Sequence, residues 1–150
     1  MQSLDARSVR RPSSAGRERP GARGRSEQVM VNPTGPRHTD TAWLVAQGRV
    51  LASATVAESR SARRRGLLGE RDPQFALVLP RCRWVHTLGM KCALDVAYLD
   101  CDSRVMKMQR LVPMRLPLPV PAARTVVEAK AGSFERWGLH VGDTVEVRRA

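Results

Sequence analysis

Residues 84–100 read WVHTLGMKCALDVAYLD, and the fold turns on this stretch. Its second half, Leu94 to Leu99, alternates. Leu94, Val96 and Tyr98 fall on one side and Asp95, Ala97 and Leu99 on the other, the two-residue period of a β-strand. Gly89 breaks the segment before it, so TLGMKCA predicts a loop. CRWVH, residues 82–86, predicts a further short strand leading into that loop. Asp100-Cys101-Asp102-Ser103 is turn chemistry, and VMKMQRL, 105–111, predicts the returning arm of a hairpin.

Outward from this hairpin the pattern stays β-rich. Prolines at 113, 117, 119 and 121 forbid a helix or a central strand and predict an ordered, extended loop on the rim. FALVL, 75–79, reads as a buried strand stopped by Pro80, and TVVEA, 125–129, as another. AWLVAQGRVLASATVA, 42–57, with two apolar runs around Gln47-Gly48, predicts a hairpin or one long bent strand with a turn at Gly48. ESRSARRRGLLG, 58–69, predicts a short helix capped by Ser59, with Ala62, Gly66 and Gly69 forming a small-residue face that can lie close on a sheet. The arginines at 60, 63 and 64 then point to water, a solvated face rather than a binding patch. Gly132 to Gly138 predicts a short helical turn carrying Phe134 and Trp137, and Val141-Gly142-Asp143 a tight turn into a last strand, TVEVR, with Val145 and Val147 inward. The fold class is therefore α+β, mainly antiparallel β: a small barrel-like or curled sheet with two short helices, near 59–69 and 132–138.

The chain has 150 residues, 42% hydrophobic, 27% charged and only 4% aromatic, so Leu, Val, Ala and Met must fill its core. The composition changes at about residue 41. Before it, stretches such as SVRRPSSAGRERPGARGRSE hold almost nothing to bury, which predicts a disordered basic tail over 1–40 and a single domain over 41–150. Met30 stands as a second candidate start. The net charge of +12 favours non-specific attraction to acidic partners. No aromatics interleave the tail's arginines, so base stacking has no support there, and no specific nucleic-acid binding is expected from the ordered domain. Three cysteines, Cys82, Cys92 and Cys101, without C-x-x-C spacing, argue for reduced thiols. No apolar run approaches the roughly 18 residues of a membrane span, and no apolar stretch follows the N-terminal arginines, so the expected location is cytoplasmic.

Three segments carry a resemblance: RRRGLLGER (63–71), WVHTLGMKCALDVAYLD (84–100) and VVEAKAGSFERWGLHVGDTV (126–145). Together they resemble the DUF192 family, a domain of unknown function, in its bacterial form. His86, Thr87, Gly89, Met90, Lys91 and Asp95 fall on the family's central pattern. Gly66, Leu67, Leu68, Gly69 and Arg71 are similar to its glycine-leucine element, Glu128, Ala131 and Gly132 to its Glu-x-x-Ala-Gly element, and Gly142-Asp143 to its closing turn. The chain departs from the pattern at Leu88, Cys92, Ala93 and Ser103, the last standing where the family usually has glycine. The resemblance implies a compact, mostly β domain and no established activity.

The candidate pocket consists of His86, Thr87, Met90, Asp95 and Glu128. An imidazole titrates near neutrality, and a carboxylate such as Asp95 or Glu128 can orient it or share a proton with it. In particular, Asp95 is expected to reach back to the 87–93 loop or to His86. The bland alternative is that these residues only hold loop backbone. Arg65 and Arg71 are candidate anion contacts, weighed against a salt bridge over the helix end. Cys82, His86, Met90 and Cys92 cluster in sequence but match no closed metal pattern, and neither His38 nor His140 supplies a further ligand. No metal and no cofactor are expected, and the chain is expected to be a monomer. The leading function is a non-enzymatic binding or accessory module. The alternative is a small acid/base or hydrolase-like enzyme using His86 with Asp95 or Glu128.

Overall fold

A computed structural model describes residues 41–150. The expectations placed on the tail, on Met30 and on His38 lie outside the described residues. The elements run β1 (Thr41–Ala46), β2 (Arg49–Val56), α1 (Arg60–Arg65), β3 (Ala76–Pro80), β4 (Leu94–Leu99), β5 (Val105–Leu111), β6 (Thr125–Lys130), α2 (Ser133–Trp137) and β7 (Val145–Arg149). The strands form one sheet in the order β5-β4-β6-β3-β2-β1-β7.

The sheet is mixed rather than purely antiparallel. β2 and β3 pair in parallel, joined by a crossover that contains α1, while every other strand pairing is antiparallel. The sheet is not closed, yet it is curled. An isolated bridge joins Arg104, beside the start of edge strand β5, to Thr144, beside the start of edge strand β7. Register shifts in the β1–β2 and β4–β5 ladders add local twist, as bulges do.

β4 and most of β3 and β6 are buried on both faces, because they lie inside the sheet and each face is covered. One face packs Leu44, Val78, Ala97, Leu99 and Val127 with Phe134 of α2. The other packs Leu77, Leu79, Leu94, Val96, Tyr98 and Val126 with Leu67, Val85 and Met90 from the segments that cover it. The alternation read in Leu94–Leu99 thus sorts its side chains between two cores.

Two local expectations change. Residues 82–86 form no strand. The backbone of 82–87 bonds instead to the proline-rich segment and the residues just after it: Val120 N–H to Arg83 O at 2.8 Å, Thr87 N–H to Arg115 O at 2.9 Å and Cys82 N–H to Arg124 O at 3.3 Å. Prolines 117, 119 and 121 offer no N–H, so a regular ladder cannot form there. α1 is also shorter than the pattern suggests. Ser59 does cap it, accepting the Ala62 N–H at 3.0 Å, but Gly66 ends it at φ 53°, so Gly69 belongs to no helix face.

Candidate functional site

A cleft of about 410 Å³ lies over the second core, between α1 and residues 81–90. Leu94 of β4 and Glu128 of β6 line it from the sheet, Leu67, Val85 and Met90 add apolar wall, and Cys82, Trp84 and His86 line it from the covering segment. Arg60, Arg63, Arg64 and Arg65 from α1, with Arg81 opposite, supply its positive charge. Among the described residues none of these five guanidinium groups pairs with a carboxylate. Arg63 donates to the Glu58 carbonyl at 2.6 Å, which ties it across the start of the helix.

Glu128 sits in the middle of the sheet, its neighbours across the ladders being Val96 and Leu77. Only 4% of it is exposed. Its Oε2 accepts the Leu67 N–H at 3.2 Å. Burial pushes its pKa up to about 7, against the lowering effect of that one hydrogen bond. Gly66 makes the contact feasible. It holds a positive φ, and a β-carbon there would lie 3.0 Å from Glu128 Oε2. Where the chain leaves α1 over the carboxyl, a side chain at this position would crowd it.

His86 Nδ1 accepts the Leu88 N–H at 3.3 Å, so the neutral ring carries its proton on Nε2, which has no protein partner among the described residues. The ring packs against Trp84 with centroids 5.6 Å apart. The Cys82 thiol donates to the Trp84 carbonyl at 3.1 Å, and burial holds its pKa above the usual thiol range.

The residues singled out in the sequence therefore divide. His86, Met90, Glu128 and Arg65 line the cleft. Thr87 does not. It is buried, donating to Val112 O at 2.7 Å and accepting the Arg115 N–H at 2.9 Å, and so pins the covering segment to the proline-rich loop. Asp95 does not meet His86 or the 87–93 loop, which corrects that expectation. Its side chain leaves the opposite face of β4, where it accepts the Gly132 N–H at 2.7 Å, the Phe134 N–H at 3.2 Å and Arg110 Nε at 2.9 Å. It caps α2 in place of the missing side chain at Gly132. Arg71 is exposed and outside the cleft.

Arg60 and Arg64 are exposed and Arg63 half-buried, in keeping with a solvated helix face, and that face also borders the cleft. A signal for them existed. They stand at i, i+3 and i+4 on a six-residue helix, and like charges so spaced destabilise a helix by about 0.2–0.5 kcal/mol per pair. Position near the helix C-terminus offsets this for Arg63 and Arg64, but not for Arg60. Among the described residues no group of three or more His, Cys, Asp or Glu is arranged to hold a metal ion.

The sequence model of DUF192, described as an uncharacterised ACR, matches residues 39–147. A UPF0127 protein of Pyrococcus furiosus is 35% identical over 65 residues, covering 43% of this chain and 56% of the relative. One from Pyrococcus abyssi is 34% identical over 62 residues, covering 41% and 53%. The chain spans about half the length of these curated relatives. Among solved structures, a protein of unknown function from Novosphingobium aromaticivorans is similar at a TM-score of 0.60 and 20% identity, covering 71% of this chain and 83% of that one. A Sinorhizobium meliloti protein, named as a candidate transcription regulator, is similar at 0.62 and 21%, covering 72% and 92%. At these identities the structures share the fold. Among the described residues no helix is long and apolar enough to cross a membrane.

Proposed function

The chain belongs to the DUF192 family, and on that premise we propose that it is a non-enzymatic binding module whose cleft takes a small anion bearing an apolar part. The observation that carries this reading is a concave site with an apolar floor, five arginines and no carboxylate paired to them among the described residues. Guanidinium groups match carboxylate and phosphate oxygens in pairs. Near neutrality Glu128 holds a proton for much of the time, so it presents a hydroxyl donor at depth instead of a second negative charge. Trp84 and Leu68, both partly exposed, give an apolar substituent something to rest on. Three free cysteines suit a reducing compartment, which is why we assign the protein to the cytoplasm.

A second reading, a small acid/base or hydrolase-like enzyme, draws on His86 and Glu128 lining the same cleft. Asp95 has no place in it. The nearby thiol is a poor nucleophile, because its raised pKa keeps it protonated.

Thermal shift and calorimetry with benzoate, hexanoate, phenyl phosphate and inorganic phosphate test the proposal. A ligand at about 100 times its Kd stabilises by about 2.7 kcal/mol, several degrees for a domain of this size. The expected result is stabilisation by an anion with an apolar group, lost in Arg64→Gln with Arg65→Gln. No shift with any probe, or an arginine-dependent preference for nucleic acid, sinks the binding reading. Turnover of p-nitrophenyl esters or phosphates that vanishes in His86→Ala transfers the site to the enzyme reading.

A further inference from the structure

Residues 112–120, VPMRLPLPV, pass beside the cleft without forming helix or strand. The segment is held at several points. Beyond the Thr87 and Arg83 contacts, Trp84 Nε1 donates to Pro117 O at 2.6 Å and the Gly89 N–H reaches Met114 Sδ at 3.3 Å. A segment so fixed, with three prolines of its own, has little freedom to fold its apolar side chains inward. Leu118 is nevertheless 82% exposed, Met114 66% and Leu116 60%. Val112, Leu88 and Trp84 are also partly exposed, and the Trp84 and Gly89 bonds hold residues 84–89 against this loop. Single exposed leucines need no explanation, but several within five residues of a loop held at several points do.

Charge says what this group faces. Residues 112–124 contain Arg115 and Arg124 and no acid, and the covering segment 81–94 contains Arg81, Arg83 and Lys91 and no acid. All five cations are exposed. Apolar side chains this exposed, on segments whose own charged residues are all cations, match an interface that is negative outside and apolar just beneath. An anionic bilayer surface is that interface. A protein groove would need an apolar trough with an acidic rim, a narrower requirement.

We propose that the 112–120 loop docks this protein onto an anionic membrane surface, with Met114, Leu116 and Leu118 entering the headgroup layer and the surrounding arginines contacting lipid phosphates. The docking is peripheral and independent of what the cleft binds. Its cytoplasmic setting would be the inner leaflet, where anionic lipids supply the negative surface potential.

The test is co-sedimentation of the full chain with vesicles of phosphatidylcholine, alone or with about 30% phosphatidylglycerol. The full chain should partition onto the anionic vesicles, and Leu116→Ser with Leu118→Ser should weaken this about tenfold or more at an unchanged thermal midpoint. In a Leu118→Trp variant the emission should move to the blue on adding anionic vesicles. The proposal is overturned if the full chain does not partition, or if the double serine variant partitions as well as the parent, since arginine charge alone then suffices. It is equally overturned if the double variant dissolves a dimer seen in solution, which makes the loop a contact between copies.

Discussion

Two carboxylates are buried in adjacent strands, on opposite faces of the same sheet. Asp95 in β4 is 5% exposed and Glu128 in β6 is 4% exposed. Burial alone treats them alike, but their partners do not. Asp95 accepts two backbone N–H groups and an arginine. Glu128 accepts one backbone N–H, and the arginines around its cleft are not paired with it. A buried charge whose hydrogen bonds are complete is a structural fastener. One that is desolvated with a single donor, beside open space and unpaired cations, has a proton that is easily exchanged near neutral pH. The first holds α2 to the hairpin. The second faces whatever enters the cleft.

The largest expected effect breaks the comparison on the Asp95 side. Asp95→Ala strips the acceptor from two N–H groups, one of them on buried Phe134. Each orphaned donor costs about 1–3 kcal/mol, so the variant should lose about 4 kcal/mol and more than about 10 °C in thermal midpoint. Equilibrium denaturation checks it. A loss under about 1 kcal/mol would mean that water serves these donors equally well.

How much of this was legible in the sequence depends on what a pattern can encode. The alternation of Leu94–Leu99 places Asp95 on the face opposite Leu94 and Val96, and the structure agrees. What lies on that face is decided by the register of β4 against β6 and by where α2 returns, neither of which is local information. The pattern therefore gives Asp95 the right face and the wrong neighbour. His86, Met90 and Glu128 were nameable because of their chemistry and the family pattern, but their meeting in one cleft depends on the β2–α1–β3 crossover, which composition does not reveal. The turn at Ser103 makes the same point. The family usually has glycine there, and Ser103 indeed sits at φ 60°. CRWVH reads as a strand because it is rich in β-formers, and it fails as one because its partner is proline-rich.

The next effect has the opposite sign. Glu128 has a folded-state pKa of about 7 against 4.5 for the free side chain, so the folded state binds its proton more tightly. The contribution to stability is full below about pH 4.5, falls as pH rises through about 7, and then levels off. Glu128→Gln cannot ionise and lacks this fall. It should match the parent near pH 4 and exceed it at pH 8 by up to about 3 kcal/mol. Denaturation at the two pH values reads the difference directly. Removing one buried carboxylate should thus weaken the fold and removing the other strengthen it. A Glu128→Gln variant that is less stable than the parent at pH 8 would place both carboxylates in the structural class.

The smallest effect on stability should be the most informative about the cleft. Arg60 and Arg64 are exposed and stand four residues apart on α1. Their repulsion destabilises the helix by about 0.2–0.5 kcal/mol, and Arg60, near its N-terminus, also opposes the helix dipole. Arg60→Gln should therefore leave the fold unharmed or gain a few tenths of a kcal/mol, the sign expected of a residue kept for something other than stability. If the cleft binds an anion through this stripe, the same variant should bind phenyl phosphate or benzoate several-fold more weakly, and the loss should shrink as salt is raised, because exposed charges are screened over about 8–10 Å. Affinity should also fall as pH rises through about 7, when Glu128 ionises beneath the ligand, and Glu128→Gln should abolish that fall. Anion affinity unchanged by Arg60→Gln and indifferent to pH between 6 and 8 would separate the arginine stripe from the buried carboxyl, leaving α1 as a charged lid over an ordinary core defect.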